Sequence, residues 1–545
     1  MNDFLRSVTE LDVLTENGAV AHSTTSNVFL DQFGLAASYR GRELHTVFAD
    51  QATLHAEDAQ LALRFVFYLR GITRNVTQAG EKFYDPNVTQ FTGAGARDES
   101  LKRLLWYANS HPVTFRQNLF MIGLLGRYRD FWDLIVLAET NDLAVDWTKW
   151  IPRMVAFNSD PLWWKYVPLA KSSKKLKTDR SKIRNKIAKA VANELNLSEK
   201  DMRLSKSASQ SHNWQKAISR KTFSDINWKN IPGKALQILA NKFVENQGLS
   251  NSFLEFLKSS QKVSFNGYAY ELIKVLRKRD GLIQRSLTDL QFESLLEKGR
   301  ERMKNSEGIT ENVWCAIDTS GSMTSRVSGS GFDEKDYLSC LDVCLGLGLY
   351  FASLNTGAFA KNVVMFDTHS KVKQLRGSFS QMYDQLIKST IAWGSTNFNS
   401  VINEIIRVRM QKGDSIPLED YPTTLLVVSD MQFNVNGSSK SYFNSIQEKL
   451  SEHFPAEWVK NFKVVWWNVK GAGRGDSHVF HSNTSDLGAY YFSGFDGAPI
   501  SFLLGENDKI EKVTETGETV EVQKSAIDVM NEALNQPLLQ LVEFS

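Results

Sequence analysis

After Gly308 the chain alternates short runs rich in β-branched and aromatic residues with helical ones, and no other feature constrains its fold as tightly. Residues 313–317, 362–366, 423–429 and 463–469 read as strands. Residues 337–354, 378–388, 397–410 and 441–453 read as helices around them. Such alternation implies βαβ units and a mostly parallel, Rossmann-like α/β sheet covered on both faces. Ligands of these sheets bind at the carboxyl ends of the strands, so functional side chains are expected there.

The earlier part of the chain has a different rhythm. Leu101, Leu104, Leu105 and Ala108 follow the i, i+3, i+4, i+7 spacing of an amphipathic helix. The next helix is expected to open at Thr114, with Gln117 completing a capping box, and to break near Gly126. Another begins at about Asp130. Residues 181–195 form a helix with Ile183, Ile187 and Val191 on one face and Lys182, Lys186 and Lys189 on another. The flanking stretches AKSSKKLKTDR and LSKSASQSHN read as mobile loops, and helical patterning resumes from Gly233 to Asn305. Helix pairs joined by short turns suggest an α-solenoid of HEAT-like repeats, although no strict period is present. A chain of 545 residues exceeds what one core supports. Two domains are expected: an all-α helical-repeat domain over 1–305 and an α/β domain over 306–545.

The segment WCAIDTSGSMTS ends the first expected strand with Asp318, Ser320 and Ser322. Alternate residues of an extended chain point the same way, so these three converge if the chain stays extended beyond the strand. Hard oxygen donors suit a hard cation, Mg²⁺ or Mn²⁺. Two further donors fall where the sheet predicts them: Thr396 in a turn before a helix, and Asp430 at the end of an apolar strand. Together, Asp318, Ser320, Ser322, Thr396 and Asp430 resemble the metal-ion-dependent adhesion site of von Willebrand factor A domains. Two carboxylates balance a divalent charge, and neutral hydroxyls fill coordination without adding negative charge. The resemblance implies an open position for a carboxylate or phosphate oxygen from outside. No histidine flanks these three loops, and nucleotide-binding and nucleophile-elbow motifs are missing, so an enzyme is not expected.

The formal net charge is only +3, yet residues 165–234 hold 18 Lys and Arg against 5 Asp and Glu. Concentrated charge of this kind points to a polyanion. Lys171, Lys174, Lys175, Lys177, Arg180, Lys182, Arg184, Lys186 and Lys189 make an arm-plus-helix footprint for phosphates. Trp163, Trp164, Tyr166, Trp214 and Trp228 lie nearby; bases could stack on them, but a place in the core suits the tryptophans better. The three cysteines, Cys315, Cys340 and Cys344, fit a reducing compartment and a packing role. With neither a secretory signal nor an apolar run long enough to span a bilayer, the protein is expected in the cytoplasm.

A helical first half followed by a von Willebrand A-like domain resembles the TROVE-domain proteins, the Ro autoantigen family, with their plant, viral and phage relatives. The resembling residues include Asn17-Gly18, Ser23-Thr24-Thr25, Asn109-Ser110-His111-Pro112, Arg116-Gln117-Asn118-Leu119 and Gly126-Arg127-Tyr128-Arg129-Asp130. In the second half they are the metal motif, Ser429-Asp430-Met431-Gln432-Phe433 and Ser493-Gly494-Phe495. The resemblance implies a ring of helical repeats that binds structured or misfolded small RNA, without catalysis. The basic segment does not align with the family's RNA contacts residue by residue, so its assignment rests on charge alone. The alternative is an adaptor without RNA, for example for a ring ATPase, in which the metal meets an acidic residue of a partner protein.

Overall fold

The computed structural model describes residues 12–15, 17–36, 39, 41–75, 90–170, 178–209, 222, 226–243, 247–278, 281–305, 312–327, 337–389, 394–434, 442–470, 479–481, 488–494, 509–513 and 519–545. A predominantly helical N-terminal region precedes a C-terminal α/β sheet domain. By contacts the chain forms two compact units, Met1–Arg40 with Asn227–Met530, and Gly41–Ile226 with Asn531–Ser545. These units do not follow a single cut between 305 and 306. The described residues of 12–39 and the helices between 227 and 305 cluster with the sheet.

In the α/β unit, a six-stranded sheet runs in the order β10-β9-β8-β5-β6-β7. Its strands are β5 (Val313–Asp318), β6 (Asn362–Phe366), β7 (Ser370–Gln374), β8 (Thr424–Ser429), β9 (Lys463–Asn468) and β10 (Ala489–Ser493). Neighbours pair in parallel except β7, which returns antiparallel on β6 as an edge strand. The sequence pattern anticipated four of these strands; β7 and β10 escaped it. In β7 alternation is weak, because its side chains are half-buried or exposed.

The helices between the strands lie close to their expected positions. Cys340–Leu354 opens on a capping box in which the Ser339 hydroxyl accepts from Asp342 N–H and Ser339 N–H donates back to the Asp342 carboxylate, both at 3.0 Å. This helix is apolar all round because it is buried on both sides. A Cβ on Gly348 would stand 2.4 Å from Ile317 of β5, and one on Gly346 2.5 Å from Cα of Tyr270 in the helix Ala269–Lys278. On the opposite face Trp314, Ala316, Leu425, Val427, Val464 and Trp466 form one core with Val401, Ile402 and Ile405 of the helix Asn399–Lys412. Residues of opposite parity in β5 thus feed the two faces, as the pleat requires. A hairpin of β1 (Asp12–Leu14) and β2 (Val20–His22) and the helix Val28–Leu35 belong to the same unit. There His22 and Phe480 exchange backbone hydrogen bonds of 2.8 and 2.9 Å. A further hairpin pairs β11 (Lys509–Val513) with β12 (Thr519–Gln523).

The helical unit packs Leu44–Glu57, Ala59–Arg70 and Arg97–Ser110 together, with a hairpin of β3 (Ile72–Asn75) and β4 (Gln90–Ala94). Leu101, Leu104, Leu105 and Ala108 are buried, as their spacing predicts. The next helix does not open at Thr114. It starts at Pro112, because proline at the first helical position gives up an N–H with no intrahelical acceptor. Thr114 is therefore inside the helix, and its hydroxyl donates to the Ser545 carbonyl at 2.7 Å instead of capping. Asn118 clamps the C-terminal segment in both directions, donating to the Glu543 carbonyl at 2.6 Å and accepting from Glu543 N–H at 3.0 Å. The helix Asp179–Glu194 is capped by Thr178 and Ser181 and buries Ile183, Ile187 and Val191. LSKSASQSHN is not a loop throughout, since Glu199–Ser209 is helical. Its remainder, and residues 171–177 of the other stretch, lie outside the described residues.

Candidate functional site

β5 is buried along its whole length and delivers Asp318 to the carboxyl edge of the sheet. The carboxylate accepts Ser320 N–H on Oδ1 at 2.9 Å and the Ser429 hydroxyl on Oδ2 at 2.5 Å. Beyond Asp318 the chain does not stay extended, because Gly321–Thr324 forms a 3-10 turn. That turn still leaves the Ser320 and Ser322 hydroxyl oxygens 3.2 Å apart. Asp318, Ser320, Thr396 and Asp430 are buried, whereas Ser322 is exposed. Hydrogen bonds tie the loops carrying them together. Gly321 N–H donates to the Gly394 carbonyl at 3.4 Å, and Asn434 N–H donates to the Thr396 carbonyl at 2.9 Å. A Cβ at Gly394 would stand 2.1 Å from the Thr368 hydroxyl oxygen, so only glycine lets the Thr396 loop lie against the turn after β6.

The electrostatics are those of two like charges held out of water. Burial first, and the charge of Asp430 second, push the Asp318 carboxyl up to about 7, against hydrogen bonds from Ser429 and Ser320. A divalent cation between these groups would reverse that penalty, and the oxygen donors match a hard ion. Among the described residues no three His, Cys, Asp or Glu side chains stand together as a metal set. The donor set read from the sequence has two carboxylates and three hydroxyls and is not a set of that kind.

Several contributors lie outside the five-donor set read from the sequence. Ser429 bridges Asp318 and the Met431 N–H, which it accepts at 3.0 Å. Met431 itself has a left-handed backbone, φ 63°, uncommon for a residue with a side chain. The N-terminal segment braces this bend: Thr15 donates to the Phe433 carbonyl at 2.6 Å and Asn17 to the Gln432 carbonyl at 2.5 Å. A histidine does stand beside the loop, contrary to the sequence reading. His481 Nε2 lies 3.0 Å from the Met431 carbonyl, and burial lowers its pKa to about 4, so the ring is neutral. Its ring packs against Phe433, Tyr442 and Trp466. Only the Ser-Asp pair at 429–430 carried a local signal; the braces come from sequence-distant segments.

The basic residues divide. Lys182, Lys186 and Lys189 are exposed on one stripe of the helix, with Lys182 paired to Asp179 at 2.8 Å and Lys186 to Glu139 at 3.1 Å. Arg180 and Arg184 turn instead toward Asp133, at 3.5 and 3.6 Å. Lys171, Lys174, Lys175 and Lys177 lie outside the described residues, as does Trp214. Trp163 is fully buried against Trp132, and Trp228 packs on Phe253, so these two are core. Trp164 and Tyr166 are half-buried. The three cysteines are buried and free. Cys344 donates to the Val428 carbonyl at 3.2 Å.

A family model for a domain of unknown function, DUF7788, matches residues 313–541. The match begins at the first residue of β5 and spans the five oxygen-donor residues. No curated protein matches the chain. Among the described residues no helix is long and apolar enough to cross a membrane.

Proposed function

We propose that the chain is a non-catalytic, RNA-binding protein whose α/β unit carries a divalent-cation site for an acidic partner. The observation that carries the metal half is the fully buried carboxylate Asp318 at the carboxyl edge of a parallel sheet, raised first by that burial and second by the charge of Asp430. In this reading Asp318, Ser320, Ser322, Thr396 and Asp430 hold Mg²⁺ or Mn²⁺, directly or through water, in the manner of a von Willebrand A domain. The ion would supply an electrophilic position for a carboxylate or phosphate oxygen. The chain's own residues fix the donors: Ser429 and the Ser320 N–H orient Asp318, and Thr15, Asn17 and His481 hold the bend after Asp430.

The RNA half rests on the excess of cations along 165–234 and on the exposed helix Asp179–Glu194 within it. A HEAT-like, ring-forming arrangement of the helical region, as in TROVE-domain proteins, would present that helix to small structured RNA in the cytoplasm. The test is a gel-shift series with a structured small RNA at rising salt. Binding that weakens steeply with salt supports the reading, and no shift at low salt removes its RNA half. The adaptor reading is favoured by one observation: Lys182 and Lys186 are already engaged with carboxylates of this chain. A Mg²⁺-dependent protein complex that forms after RNase treatment would move it ahead.

A further inference from the structure

A cleft of about 520 Å³ opens in the helical unit, within the size range of small-ligand sites. Its lining contains five cationic side chains, Arg129, Lys165, Arg180, Arg184 and Lys206, and no carboxylate among the described residues. These come from four separate helices, so the cleft gathers charge that is dispersed in the sequence. Asp133, directly behind, is the shared counter-ion. It contacts Arg97 at 2.6 Å and Arg129 at 3.0 Å, with Arg180 and Arg184 farther off. Burial opposes ionisation of Asp133, yet the hydrogen bond from Arg97 and the charges of Arg97, Arg129 and Arg180 together hold its pKa low. Arg97 is also paired with Asp130, but Arg129, Arg180 and Arg184 share the single carboxylate Asp133 and Lys165 and Lys206 line the same wall, so the cleft keeps an excess of positive charge.

Three further features say what would fit. The Trp132 side chain, 2% exposed, lines the cleft, and its indole N–H has no acceptor among the described residues. A buried N–H of this kind costs free energy until an acceptor arrives. Thr178 and Ser181, the capping pair of the helix Asp179–Glu194, also line the wall, so the positive end of a 16-residue helix opens on the same space. Tyr166 supplies a half-buried aromatic ring beside these cations.

We infer that this cleft is a phosphate-ester site of mononucleotide size, with Arg180 and Arg184 as its principal anion ligands and Tyr166 as the platform for an attached ring. Guanidinium groups suit phosphate because their planar fork pairs with two oxygens at once. The phosphate can come from a free nucleotide or from the terminal nucleotide of a strand. The second source deepens the RNA reading and rests on it, whereas the site itself does not.

The experiment uses the full chain and calorimetric titration with adenosine 5′-monophosphate, inorganic phosphate and adenosine. The nucleotide binds most tightly, phosphate binds more weakly, and adenosine does not bind. Arg180→Gln with Arg184→Gln lowers nucleotide affinity at least tenfold, while Arg97 and Arg129 still pair with Asp133. Lys165→Gln, remote from that network, gives a smaller loss and guards against a folding artefact. Competition with one RNA carrying either a 5′-phosphate or a 5′-hydroxyl separates the sources. A strand-end site releases the nucleotide only to the phosphorylated strand, and a free-nucleotide site releases it to neither. Equal affinity for nucleotide and nucleoside, or an unchanged double variant, overturns the inference even if RNA binds elsewhere. Nucleotide binding without RNA binding overturns the RNA reading and leaves the site standing.

Discussion

Two buried carboxylates, Glu99 in the helical unit and Asp318 in the α/β unit, meet opposite surroundings. In the helical unit Glu99 is fully buried and meets Arg103 and Arg42, each at 3.0 Å. Asp130 there accepts from Arg70 and Arg97, both at 2.6 Å. In the α/β unit Asp318 is equally buried, but the charge acting on it is a second carboxylate, Asp430. Matched charges close a structure. Like charges at a sheet edge oppose each other until a cation is bound, and this contrast separates a structural network from a candidate site.

The largest expected effect comes from unmatching a matched pair. Arg103→Ala leaves Glu99 buried with Arg42 alone and removes the 3.1 Å hydrogen bond to Gln51. Breaking a buried pair costs about 3–5 kcal/mol, so denaturant unfolding should show a destabilised helical unit. A loss below about 1 kcal/mol would mean that this network is dispensable.

Steric matching in the α/β unit ranks next. Gly346→Ala forces a methyl group into the Tyr270 backbone, and overpacking of this kind costs about 1–3 kcal/mol. Thermal unfolding with and without Mg²⁺ should show the loss in both conditions, because Gly346 packs on Tyr270 whereas Gly348 of the same helix packs on β5. A loss confined to one condition would couple this helix packing to the site.

Unmatching the like charges should act in the opposite direction. Asp318 has a raised folded pKa, so between the ordinary carboxylate range and about pH 7 the folded state holds a proton that the unfolded chain has released. Stability from this group is full at low pH and lost as pH rises through about 7, by at most about 1.4 kcal/mol per pH unit. In chelator, wild type should lose melting temperature from pH 5.5 to pH 8 relative to Asp318→Asn. Parallel curves for the two proteins would remove the like-charge premise.

The smallest effect on stability per substitution belongs to the exposed stripe. Lys182→Glu, Lys186→Glu and Lys189→Glu together spare Ile183, Ile187 and Val191; Lys189→Glu costs within about 0.5 kcal/mol, and the other two, which lose exposed pairs with Asp179 and Glu139, about 1 kcal/mol each. RNA affinity should nevertheless fall for every sequence, and the slope of log affinity against log salt should flatten by about 0.7 per lost contact on a single strand. Unchanged affinity and slope would make the stripe a solvated face and leave Arg180 and Arg184 as the cations of interest.

The two regions also differ in how far the chain announces them. Asp318 and Asp430 end continuous apolar runs, so the β-rich composition of those runs and the strand-end rule located both from local sequence. β7 escaped because its side chains are half-buried or exposed, whereas β10, AYYFS, is fully buried and was missed despite its aromatic residues. The braces on the Asp430 loop, Thr15, Asn17 and His481, are invisible to any local window, since each acts across the fold. The cationic cleft is likewise a product of packing. Net charge flagged 165–234, but Arg129 lies outside that stretch and the division between Arg180 or Arg184 and the lysine stripe needs the helix in place.

The central claim is that Asp318 belongs to a divalent-cation site, and the most direct test is the Mg²⁺-dependent melting of wild type beside Asp318→Asn. At about 100 times its dissociation constant, Mg²⁺ should stabilise wild type by roughly 2.7 kcal/mol and leave the variant unmoved. Mn²⁺ should act in the same way. An identical response in both proteins, or none in wild type at saturating Mg²⁺ and Mn²⁺, would contradict the account.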